Sequence, residues 1–385
     1  MSHHVSARSG VEPFHVMEVV AAAAARGDVV HLEVGQPSDG APPSAVARAQ
    51  ELLASGDALG YTPALGITAL RERIAGWYHE RYGLETDPGR IAVTAGASGA
   101  VMLALLARFD PGQRIAYAVP GYPCYPQLIA ALGLIGVPVP CGAADGFVLG
   151  AEPLDRLIGS DVAPIDGVFV ASPANPTGTQ YDPEQLRQLA QWCRDRGVQL
   201  IADELYHGIT FDRPAPSAGG DESAIVIGSF SKYFCMTGWR LGWMLGPAPL
   251  IDAVDRLSQH AYLSPPTLAQ HIAIAAFDDV AVLDARVERY AHNRRILLAA
   301  LSDLGVEDVA PCDGAFYAYG RVDHWGIDSF ELVQRWLAEI GVAAAPGVDF
   351  DHRDGHRWVR WSFAGSTEDV TEGCERLRTW ANRRG

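Results

Sequence analysis

Gly228-Ser229-Phe230-Ser231-Lys232-Tyr233-Phe234-Cys235-Met236-Thr237-Gly238-Trp239-Arg240-Leu241-Gly242 is the stretch on which the reading of this chain turns. It follows one apolar, β-branched run (Ala224 to Gly228) and runs into another (Leu241 to Leu245), so it reads as a loop between two buried strands. In an open α/β sheet, ligands bind where strands end. Ser229, Ser231 and Arg240 offer hydroxyls and a guanidinium fork, groups suited to a phosphate. Lys232 is the only lysine among 30 lysines and arginines. An Ala-, Gly- and Arg-rich composition of the high-GC type accounts for the scarcity. Arginine replaces lysine as a surface charge, however, but not as a deprotonatable amine. Apart from the N-terminus, Lys232 is thus the one amine available for nucleophilic or Schiff-base chemistry, and nearby cations and desolvation would lower its pKa.

Outward from this loop the middle of the chain alternates short apolar runs with helical stretches, the pattern of a mainly parallel sheet covered by helices. Seven strands are expected: Ile91 to Thr94, Arg114 to Val119, Ile135 to Val139, Gly167 to Ala171, Val198 to Ala202, Ala224 to Gly228 and Leu241 to Leu245. Helical composition marks Ala100 to Arg108 and Pro183 to Arg196. The apolar run Leu128 to Ala144, broken by Gly133, Gly136, Pro138 and Pro140, reads as a helix end followed by a buried strand rather than a membrane span. Beyond Pro249 come a long helical stretch, Val280 to Leu304, and a short α+β tail with strands near Ala315 to Tyr319, Val342 to Ala345 and Trp358 to Ser362. The expected fold class is α/β: a large domain over 46–280, and a smaller α+β domain formed by 1–45 with 281–385.

The 385 residues, 48% hydrophobic and 20% charged, are ample for a large core. A formal charge of −16 and a pI near 5.1 oppose a phosphate backbone or an anionic membrane surface, so neither nucleic acid nor membrane is an expected partner. Val19 to Ala25 is apolar but follows Glu18 and lacks a basic leader, which reads as a helix rather than a signal peptide. Six scattered cysteines without a C-x-x-C pair suit reduced thiols. A cytoplasmic protein is the expectation. His352 and His356 stand in a loop containing Asp354 and Gly355, and no metal is expected there.

Four more segments sit where predicted strands end. Ala95-Gly96-Ala97-Ser98-Gly99 opens a helix whose backbone N–H groups can approach an anion, although small residues also serve plain packing. Pro120-Gly121-Tyr122-Pro123-Cys124-Tyr125 puts an aromatic in a Gly/Pro turn. Ser172-Pro173-Ala174-Asn175-Pro176-Thr177-Gly178 is also ordinary turn chemistry. Asp203-Glu204-Leu205-Tyr206 places a carboxylate at the sheet edge, where an N-cap is the commoner job. Ser229-Phe230-Ser231-Lys232 also fits the S-x-x-K of penicillin-recognising enzymes. That chemistry expects S-D-N and K-T-G elsewhere; the first does not occur, and the second needs a lysine the chain lacks.

Ser-Phe-Ser-Lys followed by Met-Thr-Gly-Trp-Arg resembles the lysine motif of the class I/II aminotransferases, pyridoxal-phosphate enzymes of fold type I such as aspartate aminotransferase. The other motifs follow in that family's order, from Gly35-Gln36-Pro37 to Val359-Arg360-Trp361-Ser362-Phe363. The resemblance implies that Lys232 carries pyridoxal 5'-phosphate as an internal aldimine and that Ala97, Ser98, Ser229, Ser231 and Arg240 hold the phosphate. It implies that Tyr122 stacks on the ring, Asp203 pairs with the pyridine nitrogen, and Asn175 and Tyr206 reach the phenolic oxygen. Arg360 grips the substrate α-carboxylate, with Gly35 and Asn175 alongside. Tyr61, in Tyr61-Thr62-Pro63 with Gly66 following, reaches the phosphate of a second copy in a homodimer with shared sites. Trp361 departs from the family, which usually has an aliphatic residue there.

The activity so implied is transfer of an amino group from an L-amino acid to a 2-oxo acid through a pyridoxamine phosphate intermediate, with Lys232, Asp203 and Tyr206 as catalytic residues. A C–S β-lyase on the same scaffold is the alternative, because the protein chooses which bond at Cα breaks. A non-catalytic pyridoxal-phosphate-binding regulatory module is more remote, since no DNA-binding segment is appended. The substrate side chain is not specified by any of these motifs.

Overall fold

The computed structural model describes residues 5–159 and 164–383. Strand β1 (Val30–His31) precedes a central sheet built from β2 (Ile91–Thr94), β3 (Arg114–Val119), β4 (Ile135–Pro140), β5 (Gly167–Ala171), β6 (Gln199–Asp203), β7 (Ile225–Ser229) and β8 (Gly242–Leu245). Their order is β2-β8-β7-β6-β5-β3-β4, parallel except for β8, which runs antiparallel between β2 and β7. All seven expected strands are present, with ends shifted by a residue or so. A strand flanked on both sides and covered on both faces reads as a continuous apolar run, as β7 and β8 do, and β2, at the opposite edge from β4, is also buried throughout.

β4 corrects the reading of a buried strand. It pairs only with β3, so it is an edge, and its residues alternate between exposed and buried. Pro138 and Pro140 are tolerated there because an edge strand has a side on which no N–H is needed.

A second, three-stranded antiparallel sheet contains β9 (Tyr317–Arg321), β11 (Ala345–Pro346) and β12 (Trp358–Ser362), with β12 in the middle. β10 (Val342–Ala343) leaves that sheet and pairs in parallel with β1. The single strand expected over Val342 to Ala345 is thus two pieces in different sheets. The pairing also ties the first residues of the chain to its last third. Helix His15–Ala24 covers the apolar run near the N-terminus, and helix Val280–Asp303 is the long helix expected after Pro249. Among the described residues no helix is long and apolar enough to cross a membrane.

Candidate active site

The loop from Ser229 to Gly242 leaves β7 and returns in β8, with Cys235 (φ 54°) and Arg240 (φ 52°) in left-handed conformations. Such backbone is costly for residues with a Cβ and persists where the surroundings impose it. The loop delivers Lys232 to the cleft between the two sheets. Its Nζ donates to the Gly35 carbonyl at 2.5 Å and lies 5.9 Å from the centre of the Tyr206 ring. Burial, with help from the Arg360 and Arg240 guanidiniums, pushes the amine down to about 8, against the pull of Asp203.

Asp203 ends β6 and is buried. Its Oδ2 accepts from the Tyr125 hydroxyl at 2.6 Å and its Oδ1 from the Leu205 N–H at 3.0 Å. Burial raises the carboxyl to about 6, while the two hydrogen bonds and Lys232 hold it down. Both shifts run towards the neutral group, because desolvation disfavours the charged form of each.

Two adjoining cavities share Lys232, Asp203, Tyr122 and Gly35. The first, of about 520 Å³, runs from Lys232 to the start of helix Gly96–Arg108 and is walled by Ala97, Ser98, Ser231 and Arg240. No side chain caps that helix, so its N-terminal dipole and free N–H groups face the cavity opposite a guanidinium. Glycine keeps this cradle open. A Cβ on Gly96 (φ 76°) would lie 2.5 Å from Arg240 Nη2, and one on Gly242 2.8 Å from the Ala97 nitrogen. Uncapped N–H groups, two serines and an arginine fit a phosphate; a buried carboxylate and an amine at the other end fit the nitrogen and aldehyde of a pyridine.

The second cavity, of about 260 Å³, reaches from Lys232 past Asn175 to Arg360. Arg360 stands on β12 and is buried, with its guanidinium 4.3 Å from the centre of the Tyr317 ring and 4.9 Å from that of Phe350. Nη1 donates to Asn175 Oδ1 at 2.9 Å, Nη2 donates to the Glu33 carbonyl, and Nε has no partner among the described residues. No carboxylate among the described residues lies within ion-pair distance. A buried, uncompensated guanidinium on a cavity is matched to an anion from outside. Gly35 lies against the Tyr317 hydroxyl, which a Cβ there would meet at 1.7 Å, so no larger residue fits. That hydroxyl also pairs with Tyr206 at 2.7 Å.

The fold thus gathers Gly35, Ala97, Ser98, Tyr122, Asn175, Asp203, Tyr206, Ser231, Lys232, Arg240 and Arg360 around one cleft. Two residues singled out in the sequence are not in its lining. Ser229 is buried and its Oγ accepts from the Ser231 N–H at 3.0 Å, shaping the loop. Tyr61 is 84% exposed. Sequence reasoning missed Tyr125, Tyr317 and Phe350, each of which touches a site residue. It also missed Asp349, whose carboxylate accepts from the His15 and Val16 N–H groups at 2.7 and 2.8 Å. In this way Asp349 caps the helix that brings Phe14, Val16 and Met17 to the cavity wall. Tyr125, in the first turn of helix Cys124–Ala131, follows Tyr122 by three residues and its N–H returns to the Tyr122 carbonyl at 3.2 Å, a spacing that does signal a shared location. Asp349 had no local signal.

Known proteins resemble this chain over nearly its whole length. Residues 27–377 match the family model for aminotransferase class I and II. Valine–pyruvate aminotransferase of Mycobacterium tuberculosis is 45% identical, over 99% of both chains. Aspartate/prephenate aminotransferase of Thermus thermophilus is 32% identical, over 91% of this chain and 90% of that protein. Among solved structures, an aminotransferase from M. tuberculosis superposes with a TM-score of 0.95 at 44% identity, covering 99% of this chain and 100% of that one. Aspartate aminotransferase from T. thermophilus with maleate gives 0.89 at 30% identity, covering 98% and 99%. The chain belongs to the class I and II aminotransferase family.

Proposed function

We propose that the protein transfers the amino group of an L-amino acid to a 2-oxo acid with pyridoxal 5'-phosphate held on Lys232. The observation that carries this reading is the placement of the only lysine, with a depressed pKa, between a buried carboxylate and a buried, unpaired guanidinium. When bound, the cofactor supplies an electron sink for the bond broken at Cα. The N–H groups of Ala97 and Ser98, with Ser231 and Arg240, take its phosphate, while Ser229 shapes the loop between them. Asp203 keeps a proton on the ring nitrogen and is itself aligned by Tyr125. Tyr122 supplies a flat face, and Asn175 and Tyr206 face the ring oxygen. Arg360 takes the α-carboxylate in its fork beside Gly35 and Asn175, which turns the Cα–H towards Lys232. The Lys232 amine then removes the proton from Cα and returns one on the far side of the transfer.

The division into a large unit, 46–280, and a small one, 1–45 with 281–385, belongs to this reading. The central sheet lies within the first, and the β1–β10 pair and the β9-β12-β11 sheet lie within the second. So does a homodimer. Tyr61 and Leu263 are exposed at 84% and 51%, on loops linked by the Thr62 N–H to Ser264 Oγ bond, and a second copy would cover them while Tyr61 reached its phosphate site. Cysteines without disulfides fit a reducing cytoplasm. The name of the 45% identical relative makes valine and pyruvate the first pair to try.

A half-reaction screen tests the activity. Single amino acids mixed with the yellow holoenzyme should bleach its visible band, and a 2-oxo acid should restore it. If no amino acid bleaches it while a cysteine conjugate releases pyruvate, the protein is a β-lyase instead. A second expectation concerns cofactor capture by apoenzyme. Only the neutral amine attacks an aldehyde, and the folded Lys232 titrates near 8 rather than at 10.5. The capture rate should therefore climb about tenfold per pH unit below 8 and level off above it. Stopped-flow mixing with pyridoxal phosphate reads this profile, and a climb continuing to pH 10 would contradict it.

A further inference from the structure

A separate cavity of about 430 Å³ lies between the ends of β3 and β4 and the small sheet, and it shares no lining residue with the two described above. One wall is aromatic. The Trp358 and Tyr319 rings stack at 5.0 Å with an interplanar angle of 11°, and Phe147 meets Trp358 edge-on at 5.9 Å. Beside an apolar stretch from Val119, Pro140 and Val309, the cavity carries four carboxylates, Glu307, Asp308, Asp351 and Asp354, and one guanidinium, that of Arg321. Asp354 is paired with Arg357 at 3.1 Å and accepts from Trp358 Nε1 at 2.9 Å. Arg321 is already paired with Asp308 at 3.3 Å and Asp323 at 2.7 Å, whereas Glu307 and Asp351 have no ion-pair partner among the described residues. The Tyr319 hydroxyl is the second, independent sign of a missing ligand. Tyr319 is 1% exposed, and its Oη has no hydrogen-bond partner among the described residues. Burial, then the charges of Asp351 and Asp354, raise its pKa well above the ordinary value, so it stays a neutral hydroxyl.

An orphaned hydroxyl, aromatic rings and two carboxylates without a cationic partner, of which Asp351 accepts only the Arg353 and Asp354 N–H groups through Oδ1, repel anions and suit a cation with an apolar body. The same walls touch the substrate site. Trp358 and Arg360 are two residues apart on β12 and face the same side of the sheet, and Arg360 lies directly opposite Tyr319 on β9. Phe350 contacts both, with ring centres 6.1 Å from Tyr319 and 4.9 Å from the Arg360 guanidinium carbon. We propose that this cavity binds a small organic ammonium ion, and that its occupancy shifts the strand carrying Arg360.

Choline is the probe, because it has no N–H with which to condense with the cofactor aldehyde. Its uncharged isostere, 3,3-dimethyl-1-butanol, is the control. Calorimetric titration of the holoenzyme should show one choline per chain and no saturable binding of the alcohol. Asp351→Asn and Tyr319→Phe should each weaken choline by about fivefold or more. No saturable heat from choline, equal binding of the alcohol, or unchanged affinity in both variants would overturn the site. The comparison of choline with the alcohol on the natural chain holds even if a variant fails to fold. Saturating choline should also move KM for the amino acid by about twofold or more in the natural chain and not in Asp351→Asn. Choline binding with KM unmoved would overturn the link to Arg360.

Discussion

Lys232→Ala should leave a folded protein with no yellow colour and with transamination reduced on the order of 10⁴-fold, the upper range for loss of a positioned acid–base group. Lys232→Arg should be equally inactive, since a guanidinium stays protonated at any working pH. The chain makes the experiment unusually clean, because no other lysine can substitute. Borohydride reduction of holoenzyme followed by peptide mass analysis should place the cofactor on the Lys232 peptide alone. Cofactor trapped on any other peptide, or activity retained in Lys232→Ala, would refute the assignment.

Asp203→Asn should lower kcat by about 10²–10³-fold, the range for removing one preorganised electrostatic contact from a developing charge. The amide matches the carboxylate in shape and its oxygen can still accept from the Tyr125 hydroxyl, at the loss of the Leu205 N–H bond that the other carboxylate oxygen accepts, so the fold and the yellow band should survive. What is lost is the negative charge facing the ring nitrogen. KM for the amino acid should change little if, as proposed, Arg360 and Asn175 rather than Asp203 hold the carboxylate. A variant with kcat intact and KM raised would move Asp203 from the electronic role to substrate binding.

Much of this was legible in sequence because the central sheet is made of short apolar runs and the chemistry sits where those runs end. Asp203 terminates β6 and Lys232 follows β7, so the strand reading alone brought both to one edge. The Asn175 and Tyr122 turns followed in the same way. The edge position of β4 was written in Pro138 and Pro140, spaced by two, yet an apolar run dominated the reading. The small sheet was less legible. A break at Ala344 sends β10 to pair with β1 more than three hundred residues away, and β-strands of two residues carry no periodicity. Contacts made across the sheets were not legible at all. Nothing near His15 signals that Asp349 caps its helix, nor does anything near Gly35 show that Tyr317 forbids a side chain there.

Trp361, the residue that departs from the family pattern, is fully buried one position after Arg360 and packs 5.9 Å from Trp336, which in turn meets Trp325 and Trp380 edge-on. The indole N–H groups of Trp361 and Trp336 have no partner among the described residues, and both rings are buried. These four indoles, linked through Trp336 at 5.6–5.9 Å, lie within energy-transfer distance and form a single optical unit, with Trp361 on the strand that carries Arg360. The molecule therefore carries its own label-free reporter. Blue-shifted emission from this unit should respond when a carboxylate occupies Arg360, giving a binding signal independent of the cofactor's colour and of turnover.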